Sequence, residues 1–104
     1  MPRYAQSSRA AVEAIQRLKT FDTYGNLSGV EYAHGTVSVW GYGQLRGMAK
    51  DRFVADAPTI DYIVYSYSTP IAWHTIDGRW TYVARRFSAS TEKAQSTVRS
   101  ALRN

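Results

Sequence analysis

The chain has no cysteine. That excludes a disulfide framework, a thiolate metal site and a cysteine nucleophile, and it suits a reducing compartment. Long apolar runs are missing as well. None approaches the roughly 18 residues of a membrane span, so no membrane partner is expected. The opening Met-Pro-Arg-Tyr-Ala-Gln-Ser-Ser lacks the apolar stretch of a signal peptide. A cytoplasmic location is the expectation. Histidine is scarce, represented by His34 and His74 alone. Two imidazoles so far apart in sequence, with no thiol beside them, do not supply the convergent, locally spaced ligands of a metal site. Neither a metal nor another cofactor is expected. Gly41-x-Gly43-x-x-x-Gly47 follows a strand candidate but lacks the G-x-G-x-x-G spacing and the repeated βαβ units of a dinucleotide fold.

Acidic residues are nearly absent from the last quarter. Residues 1–77 balance seven Lys/Arg against seven Asp/Glu. Residues 78–104 carry Arg79, Arg85, Arg86, Lys93, Arg99 and Arg103 against Glu92 alone. The net charge of +5 therefore lies entirely in that segment. Such asymmetry points to a polyanionic partner, with a solvated cationic face as the plainer reading.

What is present suits one ordinary globular domain over residues 1–104, 44% hydrophobic and 20% charged. A chain of this length buries roughly two-thirds of its unfolded surface, enough for one core. Ala11, Val12, Ala14, Ile15 and Leu18 recur at spacings of three and four, which predicts a helix over residues 8–19 capped by Ser7 or Ser8. Residues 20–29 read as loop. Residues 30–33 and 36–40 read as short strands around a His34-Gly35 turn, with Val37 and Val39 alternating. Leu45, Met48, Ala49 and Phe53 predict a short helix over 45–55 that stops before Pro58. Ser90 and Glu92 open a final helix with a stripe of Ala94, Val98, Ala101 and Leu102. The expected fold is α+β: an antiparallel sheet of about five strands with N-terminal, short middle and C-terminal helices.

Asp77-Gly78 between two β-rich runs is the strongest hairpin signal in the chain. A two-residue turn there sets Ile76 opposite Arg79, Thr75 opposite Trp80 and Trp73 opposite Tyr82. Trp73, Trp80 and Tyr82 then share one face with Ile71, Thr75 and Ala84, and that face is expected to be core rather than a base-stacking platform. The other face carries His74, Arg79, Thr81 and Arg85. Thr69-Pro70 is read as a kink within one long strand, since proline cannot donate to a ladder.

Three stretches resemble a family of small uncharacterised proteins of phages and prophages in actinobacterial and other Gram-positive hosts. They are Gly25-Asn26-Leu27-Ser28-Gly29, Tyr65-Ser-Tyr-Ser-Thr-Pro-Ile-Ala-Trp73, and Phe87-Ser-Ala-Ser-Thr91 with Gln95. The second is similar to an S-Y-x-T-P-I-A-W core and the third to an aromatic-S-x-T-T-x-x-H-Q ending, with Trp80 between. The chain departs at Ser90, where the family often has threonine, and at Ala94, where it often has histidine. The resemblance implies a phage source and hence the host cytoplasm; it carries over no catalytic residue. In physical terms the Ser/Thr-rich exit is a helix cap.

The leading functional expectation is a non-enzymatic protein that binds nucleic acid through Arg79, Arg85, Lys93, Arg99 and Arg103, with His74 nearby. A modulator of a host protein or a homo-oligomer is the second. A small hydrolase pairing His74 with Ser66 or Ser68 is the third, though no serine lies in a nucleophile-elbow sequence.

Overall fold

A computed structural model describes residues 3–4, 8–22, 27–83, 98–99 and 101–102. The elements run β1 (Arg3–Tyr4), α1 (Ser8–Gln16), β2 (Phe21–Asp22), β3 (Leu27–Glu31), α2 (Gly47–Asp56), β4 (Ile60–Ser66), β5 (Thr69–Thr75) and β6 (Trp80–Tyr82). A single turn of 3₁₀ helix, Ala57–Thr59, joins α2 to β4. The strands form one sheet in sequence order. β2 to β6 pair antiparallel, and β1 adds to β2 in parallel after the α1 crossover. The α+β class with about five antiparallel strands is thus the observed one.

The first helix is shorter than its periodicity suggests. Leu18 adopts φ 55°, Lys19 N–H donates to the Ala14 carbonyl at 2.8 Å, and Leu18 N–H donates to Ile15 at 3.1 Å. This is a Schellman closure, with leucine where glycine is usual. Leu18 accepts the left-handed backbone while packing against the core formed by Ala11 and Ile15. The stretch read as loop contains β2 and the start of β3, because Phe21 and Leu27 are buried strand residues. Residues 36–40 form no strand. Their polar groups close locally instead: Thr36 Oγ1 donates to the Ala33 carbonyl at 2.7 Å, and Trp40 N–H donates to Ser38 Oγ at 3.2 Å. The apolar side of that alternation is only half used: Val37 packs partly buried against the α2-side core, and Val39 is exposed.

The sheet is covered on both faces, so its centre must be apolar on both. α1 and the C-terminal Val98 and Ala101 pack over Tyr62, Val64 and Ala72. α2 lays Phe53 over Ile63 and Trp73 on the other side, with Leu45 completing the layer. Phe53 meets the Trp73 indole edge-on at 5.2 Å.

Two details of the hairpin region differ from expectation. Thr69-Pro70 is no kink. The chain reverses at Tyr67-Ser68, so that Ser66 pairs with Thr69 and Tyr65 with Pro70. A bulge beside this pair leaves Ile71 without a partner in β4, which accommodates proline's missing donor. The β5–β6 register is also one residue from expectation, with Trp73 opposite Thr81 and His74 opposite Trp80. Thr75 N–H donates to the Arg79 carbonyl at 3.0 Å, closing a three-residue loop in which Gly78 has φ 86°. A one-residue slip exchanges faces. Trp73 therefore faces α2, while Trp80 and Tyr82 face α1.

The C-terminal helix expected from Ser90 falls mostly on residues outside those described. Arg85, Lys93, Arg103, Ser90 and Ala94 all lie outside them.

Candidate functional site

Among the expected binding residues, His74, Arg79 and Arg99 are described. The register shift moves His74 off the polar face. It is partly buried beside Trp80, ring centroids 5.2 Å apart, and on the opposite side from Thr81. Its Nδ1 donates to Asp61 Oδ1 at 2.7 Å. His74 pairs across the sheet with Tyr62, and Ser66 lies four residues further along β4. That separation is about 13 Å at strand rise. Ser68 is further still, in the exposed turn. The elements thus hold His74 to a carboxylate and away from both serines.

Arg79 stands at the exit of the Asp77-Gly78 loop, 3.6 Å from Asp77 and 3.9 Å from Asp56. Asp56 closes α2 and is nearly buried. Its Oδ2 accepts the Trp73 indole N–H at 2.9 Å and the Arg52 Nε at 3.0 Å. This carboxylate joins α2 to the hairpin, and Arg79 lies across its outer edge. Asp77 accepts a hydrogen bond from the Thr75 hydroxyl, which together with the nearby Arg79 charge holds its carboxyl below the ordinary value. Arg99 is exposed at the other side of the sheet, close enough to act on the Tyr82 phenol, although burial dominates and raises that phenol's pKa.

A different surface emerges at the β4–β5 end. Trp40 is 80% exposed, Met48 88% and Tyr67 67%. The segment bearing Trp40 is not loose chain. Gly43, at φ 56°, presses its backbone against Ser68 and Thr69, where a Cβ would lie 2.7 Å from the Ser68 carbonyl oxygen. Gln44 N–H donates to Thr69 Oγ1 at 3.0 Å, and Leu45 is completely buried. The Trp40 segment and the Tyr67 turn are thereby joined. Lys50 Nζ sits 4.6 Å from the centre of the Tyr42 ring. Residues 32–50 carry Arg46 and Lys50 and no carboxylate. Beneath this end, the Tyr32 and Tyr65 hydroxyls meet at 2.6 Å, and burial holds the Tyr65 phenol far above its ordinary pKa.

Sequence reasoning missed this surface because it assigned Trp40 to a strand. The signal was present in Trp40-Gly41-Tyr42-Gly43, where two glycines deny strand continuation and leave aromatic rings on a turn. Among the described residues, no group of three or more His, Asp or Glu converges as a metal site, and no helix is long and apolar enough to cross a membrane.

The model of a family of unknown function, DUF8033, matches residues 8–97. No characterised protein and no solved structure matches the chain. The chain belongs to the DUF8033 family.

Proposed function

We propose that this DUF8033 protein works by binding a polyanion, nucleic acid in the first instance, and not by catalysis. The observation that carries the reading is the unequal commitment of its charges. Glu31, Asp56, Asp61 and Asp77 each accept hydrogen bonds from the protein itself. By contrast Arg17, Lys19, Arg46, Lys50 and Arg99 enter no ion pair among the described residues. These carboxylates are engaged within the fold, while none of these cations is neutralised by one of them: Arg17, Lys19 and Arg99 are exposed, Arg46 donates to the Leu45 carbonyl and Lys50 lies over the Tyr42 ring, on a chain already at +5. Phosphate is the anion that such a surface attracts in quantity.

The motifs around Tyr65–Trp73 and Phe87–Gln95 support a phage or prophage source and action in the host cytoplasm. The proposed binding residues include Arg79, Arg85, Lys93, Arg99 and Arg103, which with Arg86 carry the positive excess of the last quarter of the sequence.

The test is equilibrium binding to sheared DNA and to RNA across about 50 to 300 mM salt, where counterion release makes affinity fall steeply. Affinity independent of salt, or none at micromolar protein, sinks the proposal.

A further inference from the structure

The geometry points to a stacking platform for single-stranded nucleic acid at the β4–β5 end, built from Trp40 and Tyr67 with Arg46 and Lys50 at its flank. This inference rests on the nucleic-acid reading above and names the ligand class and the site.

Three observations converge on it. First, Trp40 is 80% exposed although it is among the largest apolar side chains available to a core. A tryptophan left in water by a folded domain marks a contact surface more often than a polar residue does. Second, its support is rigid. Leu45 is buried, Gly43 is wedged against Ser68 and Thr69, and Gln44 is bonded to Thr69. The indole is presented on an anchored segment, which lowers the ordering cost of binding. Third, Tyr67 is held at φ 56° while its ring is 67% exposed. Glycine or asparagine would occupy that turn position without steric cost. A strained, solvent-facing tyrosine, on a turn joined to the segment of an exposed tryptophan, is a site where stability has been given up for a surface ring.

Charge selects the occupant. Residues 32–50 hold Arg46 and Lys50 without a carboxylate, bounded by Glu31, which is bonded to Thr20, and by Asp51 on α2. A second copy docking through the same patch about a two-fold axis would bring these cations against their own copies. A polyanion with flat apolar faces satisfies both the charge and the rings. Bases within a duplex present edges, whereas those of a single strand present faces that stack on Trp and Tyr. The Tyr42 ring beneath Lys50 stiffens the cationic flank.

The experiment measures fluorescence anisotropy of a labelled oligothymidine of about 16 nucleotides, and of a duplex of equal length, against wild type, Trp40→Ala, Trp40→Phe and Tyr67→Gly. Far-UV circular dichroism of each variant establishes that it is folded. Trp40→Ala is expected to weaken single-strand binding by about 5- to 150-fold, the range for removing one stacked ring. Trp40→Phe should retain most of it, and duplex binding should be weaker and unmoved by Trp40→Ala. If both Trp40→Ala and Tyr67→Gly bind oligothymidine as wild type does, the platform is wrong and the general nucleic-acid reading survives. Equal binding of duplex and single strand likewise overturns the platform while leaving the general reading in place. If neither nucleic acid binds at low salt, both proposals fall. A dimer seen by sedimentation that Trp40→Ala dissolves assigns the patch to a second copy and overturns the inference.

Discussion

Gly29 is the residue whose identity is most tightly fixed by its neighbours. A Cβ there would overlap the Tyr62 hydroxyl and the Phe21 ring. The Tyr62 hydroxyl cannot simply retreat, because it donates to the Lys19 carbonyl at 2.8 Å and so holds the end of α1 to the sheet. Gly29→Ala is expected to destabilise by about 1–3 kcal/mol, the usual cost of overpacking. In a domain of this size each kcal/mol lowers Tm by about 4–8 °C, which thermal circular dichroism resolves. Glu31, two residues on, makes a reciprocal pair with Thr20: the Thr20 N–H donates to its carboxylate at 2.9 Å, and its own N–H donates to Thr20 Oγ1 at 3.0 Å. The Thr20 backbone donor, followed by the Thr20 hydroxyl, holds the Glu31 carboxyl below its ordinary value of 4.5. A carboxylate depressed in the folded state contributes stability that is complete above its unfolded value and is lost as pH falls through the folded one. Glu31→Gln should therefore lower the urea midpoint at neutral pH and flatten its decline below pH 4.5. A variant whose acid decline matches wild type would remove Glu31 from that account.

Among the elements, the junction between α2 and the β5–β6 hairpin depends on Asp56. Its carboxylate is the acceptor for the buried Trp73 indole N–H and faces Arg52 and Arg79. Asp56→Ala leaves that indole donor without its partner, and an unsatisfied buried donor costs about 1–3 kcal/mol. Asp56→Asn keeps an acceptor and loses only the partly screened attraction to two exposed guanidinium groups, so its cost should be smaller. Urea denaturation orders the two variants, and equal losses would mean that charge, not the indole bond, holds the junction. The same elements explain the one-residue difference in register. Asp77-Gly78 signals a turn correctly, but Thr75 bonds across to Arg79 and adds Ile76 to the loop. Turn residues locate a hairpin, whereas loop length depends on which pairing buries Trp73 beneath α2 and Trp80 beside Tyr62.

Across the whole molecule, a two-sided core leaves little apolar material for the surface, so the exposed rings at the β4–β5 end stand out. If Arg46 and Lys50 alone meet phosphates, the slope of log affinity against log salt on a single strand should be about −1.4, from roughly −0.7 per contact. A steeper slope would bring further cations, Arg99 among them, into the contact. A titration over about 50–300 mM salt measures it, and a slope near zero would remove phosphate from the interface.

The α+β class, the two helices near their observed positions, the hairpin at Asp77-Gly78 and the membership of Trp73 in the core were all legible in the residues alone. Those are local matters: periodicity, turn chemistry and the need of a short chain to bury its aromatics. Long-range packing was needed to settle the Tyr67-Ser68 reversal, the register that separates Trp73 from Trp80, the engagement of His74 with Asp61 and the release of Trp40 into solvent. Each of these depends on which alternative packs best across the whole fold, not on local preference alone. A tyrosine at positive φ is locally unfavourable, yet it lets Ser66 pair with Thr69 and place both strands at the sheet's centre. The alternation of Val37, Val39 and their neighbours fits a strand, yet Val37 alone packs against the core and Val39 stays exposed, so burial rather than pattern settles the outcome.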